Sequence, residues 1–229
     1  MPTVLITGAN RGIGLELTRQ YAARGDTVFA LCRSPNSAAA LNHLAGESGG
    51  RVAIYAVDVS DEDSIRAAGA AIGGQPIDIL INNAGISGGS DQSLGDVDTA
   101  DWIEAFKVMV IGPFRVVQTF FGNLKKVKNP KIVTITSQMG ASTWAMGGSY
   151  AYGSAKAAVN RVMIALAHDL KDQAIVNLVH PGWVRTDMGG PNADISAEES
   201  AAGIRKVIAS VTAGDSGKFY KWNGDIHAW

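Results

Sequence analysis

The chain is predicted to be an α/β protein, with one doubly wound parallel sheet of about seven strands and helices on both faces. Three observations predict this. Short β-rich apolar runs alternate with helical patterns along nearly the whole length, as parallel strands joined by crossover helices require. Strand segments such as Val4-Leu5-Ile6 and Ile77-Asp78-Ile79-Leu80-Ile81 are nearly continuous apolar runs, the pattern of strands covered on both faces. The 229 residues are 46% hydrophobic, with no repeat and no low-complexity linker, so residues 1–229 read as one domain with one core.

In chain order, strands are expected at about 3–7, 27–32, 51–57, 77–82, 131–137, 174–180 and 217–221. Helices are expected between them, at about 12–24, 37–45, 61–73, 99–124, 152–170 and 196–211. The glycine-rich pieces Gly46 to Gly50, Ser87 to Ser90 and Gly189-Gly190 read as loops.

A formal net charge of −1 gives no electrostatic reason to expect nucleic acid or an anionic membrane as partner. Lys125-Lys126-Val127-Lys128 reads as a solvated loop between a helix and a strand. The single cysteine, Cys32, cannot form an intramolecular disulfide, and four scattered histidines show no metal-ligand spacing. No metal site is expected. The opening Met1-Pro2-Thr3-Val4-Leu5-Ile6 runs straight into a strand, and no apolar run is long enough to span a bilayer, so a cytoplasmic location is expected.

Two stretches carry chemistry. Thr7-Gly8-Ala9-Asn10-Arg11-Gly12-Ile13-Gly14 follows a strand and opens a helix; its glycines allow a tight turn, and the helix N-terminus offers free N–H groups to a pyrophosphate. In Tyr150-Ala151-Tyr152-Gly153-Ser154-Ala155-Lys156, Tyr152 and Lys156 stand four apart and share a helix face. An ammonium within about 4 to 5 Å of a phenol favours the phenolate, at roughly 4 kcal/mol for an effective dielectric of about 20. Lys156 is therefore expected to lower the Tyr152 pKa into working range. Tyr150 has Ser154 four residues on and no cation, so Tyr152 is the candidate acid/base.

Gly8-x-x-x-Gly12-x-Gly14, Asn82-Asn83-Ala84-Gly85, Ser137, Tyr152-x-x-x-Lys156 and Pro181-Gly182 occur in that order along the chain. Together they resemble the short-chain dehydrogenase/reductase family over essentially the whole length. His180-Pro181-Gly182-Trp183-Val184-Arg185-Thr186-Asp187-Met188 and the ending Asn223 to Trp229 resemble a narrower branch, the sniffer- and C-factor-like carbonyl reductases.

The resemblance implies a single-domain Rossmann fold, a nicotinamide dinucleotide as cofactor and a small-molecule carbonyl substrate. It implies that Tyr152 protonates the carbonyl oxygen as hydride arrives, that Lys156 tunes Tyr152 and bonds the nicotinamide ribose, and that Ser137 bonds the same oxygen. It further implies that the cofactor lies along Gly8, Asn10, Arg11, Gly12, Ile13, Gly14, Arg33, Asp58, Val59, Asn83, Ala84, Gly85, Pro181, Gly182, Val184 and Thr186. It also implies a homodimer or homotetramer built through the long helices at about 99–124 and 152–170.

At the end of the second strand, where an enzyme of NAD generally carries a carboxylate, the chain has Cys32 and Arg33. Arg33, with Arg11 from the glycine turn, suits a 2′-phosphate, so NADP(H) is the expected cofactor. The same pair opposes an NAD-linked alcohol oxidation. Trp144, Met146, Trp183 and Met188 suggest an apolar substrate pocket.

One departure from the family pattern stands out: Met109 occupies the position of the usual catalytic Asn, which anchors the water that reprotonates the tyrosine. A thioether does this poorly. The main expectation is an NADPH-dependent reductase of aldehydes, ketones or quinones, and the alternative is a dinucleotide-binding regulatory protein with weak turnover.

Overall fold

The computed structural model describes residues 1–90 and 92–229. Among the described residues seven strands form one sheet: β1 (Thr3–Thr7), β2 (Thr27–Cys32), β3 (Val52–Ala56), β4 (Ile79–Asn82), β5 (Lys131–Ile135), β6 (Ile175–His180) and β7 (Phe219–Lys221). All neighbours pair in parallel, in the order β3-β2-β1-β4-β5-β6-β7. The order reverses between β1 and β4, and at such a reversal the flanking crossovers leave on opposite faces and open a crevice at the strands' carboxyl ends.

Alternating side chains feed two cores. Val4, Ile6, Val28 and Ala30 pack on one face with Leu17 of α1 (Gly12–Ala23), Leu41 of α2 (Ala39–Glu47) and Ile204 of α7 (Ala197–Ser210). Leu5, Phe29, Leu31 and Leu80 pack on the other with Ile65 of α3 (Glu62–Ile72), Phe120 of α5 (Gly112–Leu124) and Val159 of α6 (Tyr150–Asp169). Both faces are dry, which is why the strands lack the polar alternation of a solvated sheet.

The expected helix at 99–124 is three pieces. α4 (Thr99–Phe106) passes into a π-helical turn at Lys107–Ile111 and then into α5. α6 begins at Tyr150, about half a turn before the expected start, after Ser149 takes a left-handed φ of 51°. The helix expected at 37–45 begins at Ala39, behind a 3-10 turn at Pro35–Ser37, and carries Gly46 inside it instead of in a loop. β5 stops at Ile135, two residues short of Ser137; Ser137 instead caps a 3-10 turn at Gln138–Gly140, its Oγ accepting from the Met139 N–H at 3.2 Å.

No helix among the described residues is long and apolar enough to cross a membrane.

Candidate active site

A cleft of about 470 Å³ opens at the carboxyl ends of β1, β2, β4 and β5. One end is the glycine turn. Gly8 and Gly12 have φ of 65° and 53°, a region L side chains rarely adopt. A Cβ on Gly14 would stand 2.2 Å from the Gly8 carbonyl oxygen, so only glycine lets α1 start this close to the turn. Thr7 and Asn83 brace it from both strands at the reversal. The Thr7 hydroxyl accepts from the N–H groups of Asn83 and Ala84 at 3.0 and 3.1 Å, and the Asn83 amide donates to the Thr7 and Gly8 carbonyls at 3.0 and 3.1 Å.

No side chain caps α1 and no acidic residue lies in its first turn, whereas Asp61, Asp98 and Ser196 cap α3, α4 and α7. The N-terminus of α1 thus keeps its donors and its positive end for an anion. Arg33 is exposed at the cleft wall beside Ser34 and Ser37. Asp58 accepts from the Ser60 backbone and hydroxyl at 2.9 and 2.7 Å; burial raises its pKa, but these bonds and the Arg33 charge outweigh it and hold the carboxyl below its usual range. Arg11 is already engaged, its Nη1 3.0 Å from Asp187 Oδ2 in an exposed ion pair joining the glycine turn to the segment after β6.

At the other end stand Tyr152 and Lys156. Lys156 is 5% exposed and donates to the Ile135 carbonyl at 2.9 Å, and burial pushes its pKa down to about 8. Its Nζ lies 5.6 Å from the Tyr152 ring centroid, over the ring face. Against the expected lowering, burial pushes the Tyr152 phenol above its ordinary value, and the neighbouring Ser137 hydroxyl pulls it part of the way back.

Of the residues expected here, Gly8, Asn10, Arg11, Gly12, Ile13, Arg33, Asp58, Val59, Asn83, Ala84, Gly85, Tyr152, Lys156, Pro181 and Thr186 line the cleft. Ser137 stands just behind, against Tyr152. Gly14, Gly182 and Val184 do not reach the wall: Gly14 packs on Gly8, Gly182 on Ile195 and Trp222, and buried Val184 bridges to Ile195. They shape the backbone.

Two positioning groups had no sequence signal. Gln92, in the loop before α4, accepts from the Tyr152 backbone N–H at 2.9 Å and so caps α6 from outside. Asn160, one turn beyond Lys156, accepts from the Thr136 hydroxyl at 2.6 Å and donates to the Gly140 carbonyl at 3.1 Å.

The family profile of short chain dehydrogenases matches residues 2–196. The chain belongs to this family. The C-signal protein of Myxococcus xanthus is 40% identical over 67% of the chain and 93% of its own length. An NADPH-bound carbonyl reductase from chicken fatty liver superposes with a TM-score of 0.93 at 33% identity, covering 100% of this chain and 99% of that one. The carbonyl reductase Sniffer of Drosophila melanogaster superposes with a TM-score of 0.92 at 27% identity over both full chains.

In this short-chain dehydrogenase the Met109 position lies inside the π turn. Met109 is 1% exposed, and a Cβ built on Gly85 would stand 3.6 Å from its Sδ and 3.8 Å from Lys156 Nζ, so thioether and ammonium border the same small space. A π turn inserts one residue and leaves the helical hydrogen-bond ladder locally out of register. Beyond the cleft, Trp144, Met146, Trp183 and Met188 are about half exposed, at 45, 54, 50 and 51%. Of these four Met188 alone is on the cleft wall.

Proposed function

We propose that this chain is an NADPH-dependent reductase of carbonyl groups, with Tyr152 as the proton donor. The observation that carries the reading is a single cleft with Tyr152 and the buried Lys156 at one end and an uncapped helix N-terminus and an arginine at the other. The residues fit the cofactor. The open α1 terminus suits a pyrophosphate, and Arg33 with no carboxylate at the end of β2 suits a 2′-phosphate. The similar carbonyl reductase from chicken fatty liver has NADPH bound, which supports the same choice.

When bound, the dinucleotide supplies hydride; the chain's own residues manage the proton. Tyr152, kept protonated by burial, donates to the oxygen on which negative charge develops, and the Ser137 hydroxyl donates to the same oxygen. Lys156 lies beneath the ring, placed to return a proton to Tyr152 and to bond the cofactor ribose. The exposed apolar side chains Trp144, Trp183 and Met188 favour aldehydes, ketones or quinones with hydrophobic substituents. Exposed Ile103 of α4, Ile111 of the π turn and Phe114 of α5 support a homo-oligomer through this stretch.

A panel of carbonyl compounds, followed by loss of reduced-cofactor absorbance with NADPH and with NADH, tests the reading. Turnover of apolar carbonyls with NADPH is expected. NADPH binding without turnover of any member would favour the regulatory alternative that Met109 raises.

A further inference from the structure

The turn carrying Ser137 is pinned from two sides. From α6, Asn160 donates to the Gly140 carbonyl at 3.1 Å. From β6, the ring of His180 meets the residue after Ser137: the Gln138 N–H donates to His180 Nδ1 at 3.3 Å. A backbone N–H can only donate, so Nδ1 must carry the lone pair and the proton must sit on Nε2. His180 is 8% exposed, so its tautomer and ring orientation are set by the protein around it.

The surroundings of His180 come from the end of the chain. After β7 the backbone turns at Trp222–Asp225 and returns antiparallel, with Tyr220 bridged to Ile226 and the His227 N–H donating to the Phe219 carbonyl at 2.7 Å. The His227 ring stacks on Phe219 at 4.5 Å and presents itself edge-on to His180, 5.8 Å away at 85°. His227 Nδ1 lies 2.6 Å from the Ala228 carbonyl oxygen, which fixes the proton of His227 on Nδ1. Among the described residues, the charged or titratable groups facing His180 are His227 on the returning segment and Lys221, its cross-strand partner on β7. Both oppose a positive charge on His180.

We propose that His180 is a positioning residue for the reaction: its Nδ1 lone pair holds the Gln138 N–H and thereby aims the Ser137 hydroxyl at Tyr152. Without this acceptor the chain stays anchored at Thr136, by Asn160 and the Val179 carbonyl, and at Gly140, by Asn160, while the residue that follows Ser137 loses its hold on β6. The Ser137–Tyr152 separation then loosens, with little consequence for dinucleotide binding. The returning segment Ile226–Trp229 acts through the same residue, because its His227 ring packs against the His180 ring. The inference rests on the reading of Ser137 and Tyr152 given above.

The test uses His180→Leu, His180→Asn, Ser137→Ala and the double variant Ser137→Ala/His180→Leu, with NADPH and a carbonyl substrate. Asn is the conservative variant, since its side-chain oxygen can occupy the place of Nδ1. The expected result is a fall in kcat of about tenfold for His180→Leu, with NADPH affinity within about twofold of the parent. His180→Asn is expected to recover kcat to within about threefold, and adding His180→Leu to Ser137→Ala is expected to cost less than about twofold more.

A His180→Asn protein no better than His180→Leu overturns the proposal, as does a double variant in which the two losses multiply. If Ser137→Ala lowers kcat while His180→Leu does not, the His180 role fails and the Ser137 reading stands. If Ser137→Ala keeps full kcat, both fail together. Should His180→Leu not fold, His180→Gln takes its place: its amide sits where Nε2 was, and a kcat equal to that of His180→Asn counts against the proposal.

Discussion

Lys156 is bonded to the backbone carbonyl of Ile135 at 2.9 Å, and this contact ties the α6 face bearing Tyr152 to the end of β5 that leads into Ser137. A buried ammonium with one carbonyl partner loses its proton more easily than a solvated one, and its pKa falls to about 8. The sign follows from the depression: below about pH 8 Lys156 is charged in the free protein, and as pH rises through that value the charge is lost. kcat/KM is therefore expected to fall above about pH 8, because that ratio reports ionisations of the free protein. A profile flat to pH 10 would show that the Lys156 charge is not needed.

Tyr152→Phe removes the proposed proton donor and leaves the cleft wall in place. Turnover should drop by about a hundredfold or more, with NADPH affinity nearly intact. Tyr150, 39% exposed at the start of α6, should tolerate Phe with little loss. Stopped turnover in the Tyr150 variant, with the Tyr152 variant active, would reassign the acid.

Arg33 and the Arg11–Asp187 pair give a two-part expectation for cofactor choice. NADPH should bind at least about tenfold more tightly than NADH, since one charge-assisted contact contributes about 1.5 kcal/mol or more. Arg33→Asp should narrow or invert the ratio. Asp187→Ala frees Arg11 from an exposed pair worth at most about 1 kcal/mol, so NADPH affinity should rise severalfold while NADH changes less. Equal affinities in the unmodified protein, by fluorescence titration, would remove the 2′-phosphate assignment.

Met109→Asn restores a side chain able to hold water at the space it shares with Lys156 and Gly85. kcat should rise about three- to thirtyfold with little change in NADPH affinity, the gain one hydrogen bond to the proton path could supply. The π turn leaves a second route through backbone groups, so the parent should be slow and not dead. An unchanged kcat under conditions where proton transfer limits the rate would place the relay elsewhere.

His180 sets an acid limit on stability. Burial, His227 and Lys221 lower its pKa from 6.5 to about 4. Between those values the unfolded chain binds a proton that the folded one refuses, so stability should fall as pH drops through that window, by up to about 3 kcal/mol. Urea unfolding at pH 7, 5.5 and 4.5 measures the slope, and His180→Asn should flatten it. An equal slope in the variant would assign the acid sensitivity to other groups.

The fold was legible in the sequence because strands covered on both faces, such as Val4-Leu5-Ile6, must be apolar throughout, and helix periodicity fills the intervals between them. The glycine turn and the Tyr152–Lys156 spacing were legible for a similar reason: each is a local geometric demand, a positive φ or a shared helix face, that few residues meet. What needed the tertiary structure lies between elements distant in the chain. A register irregularity such as the π turn at Lys107–Ile111 leaves no mark on apolar periodicity. The cap from Gln92 to Tyr152 joins residues 60 apart, and the bond from Gln138 to His180 joins residues 42 apart. The Tyr152 pKa turned on burial: spacing set the face that Tyr152 shares with Lys156, but only the packing of α6 against the rest of the fold removes water from the phenol and raises it.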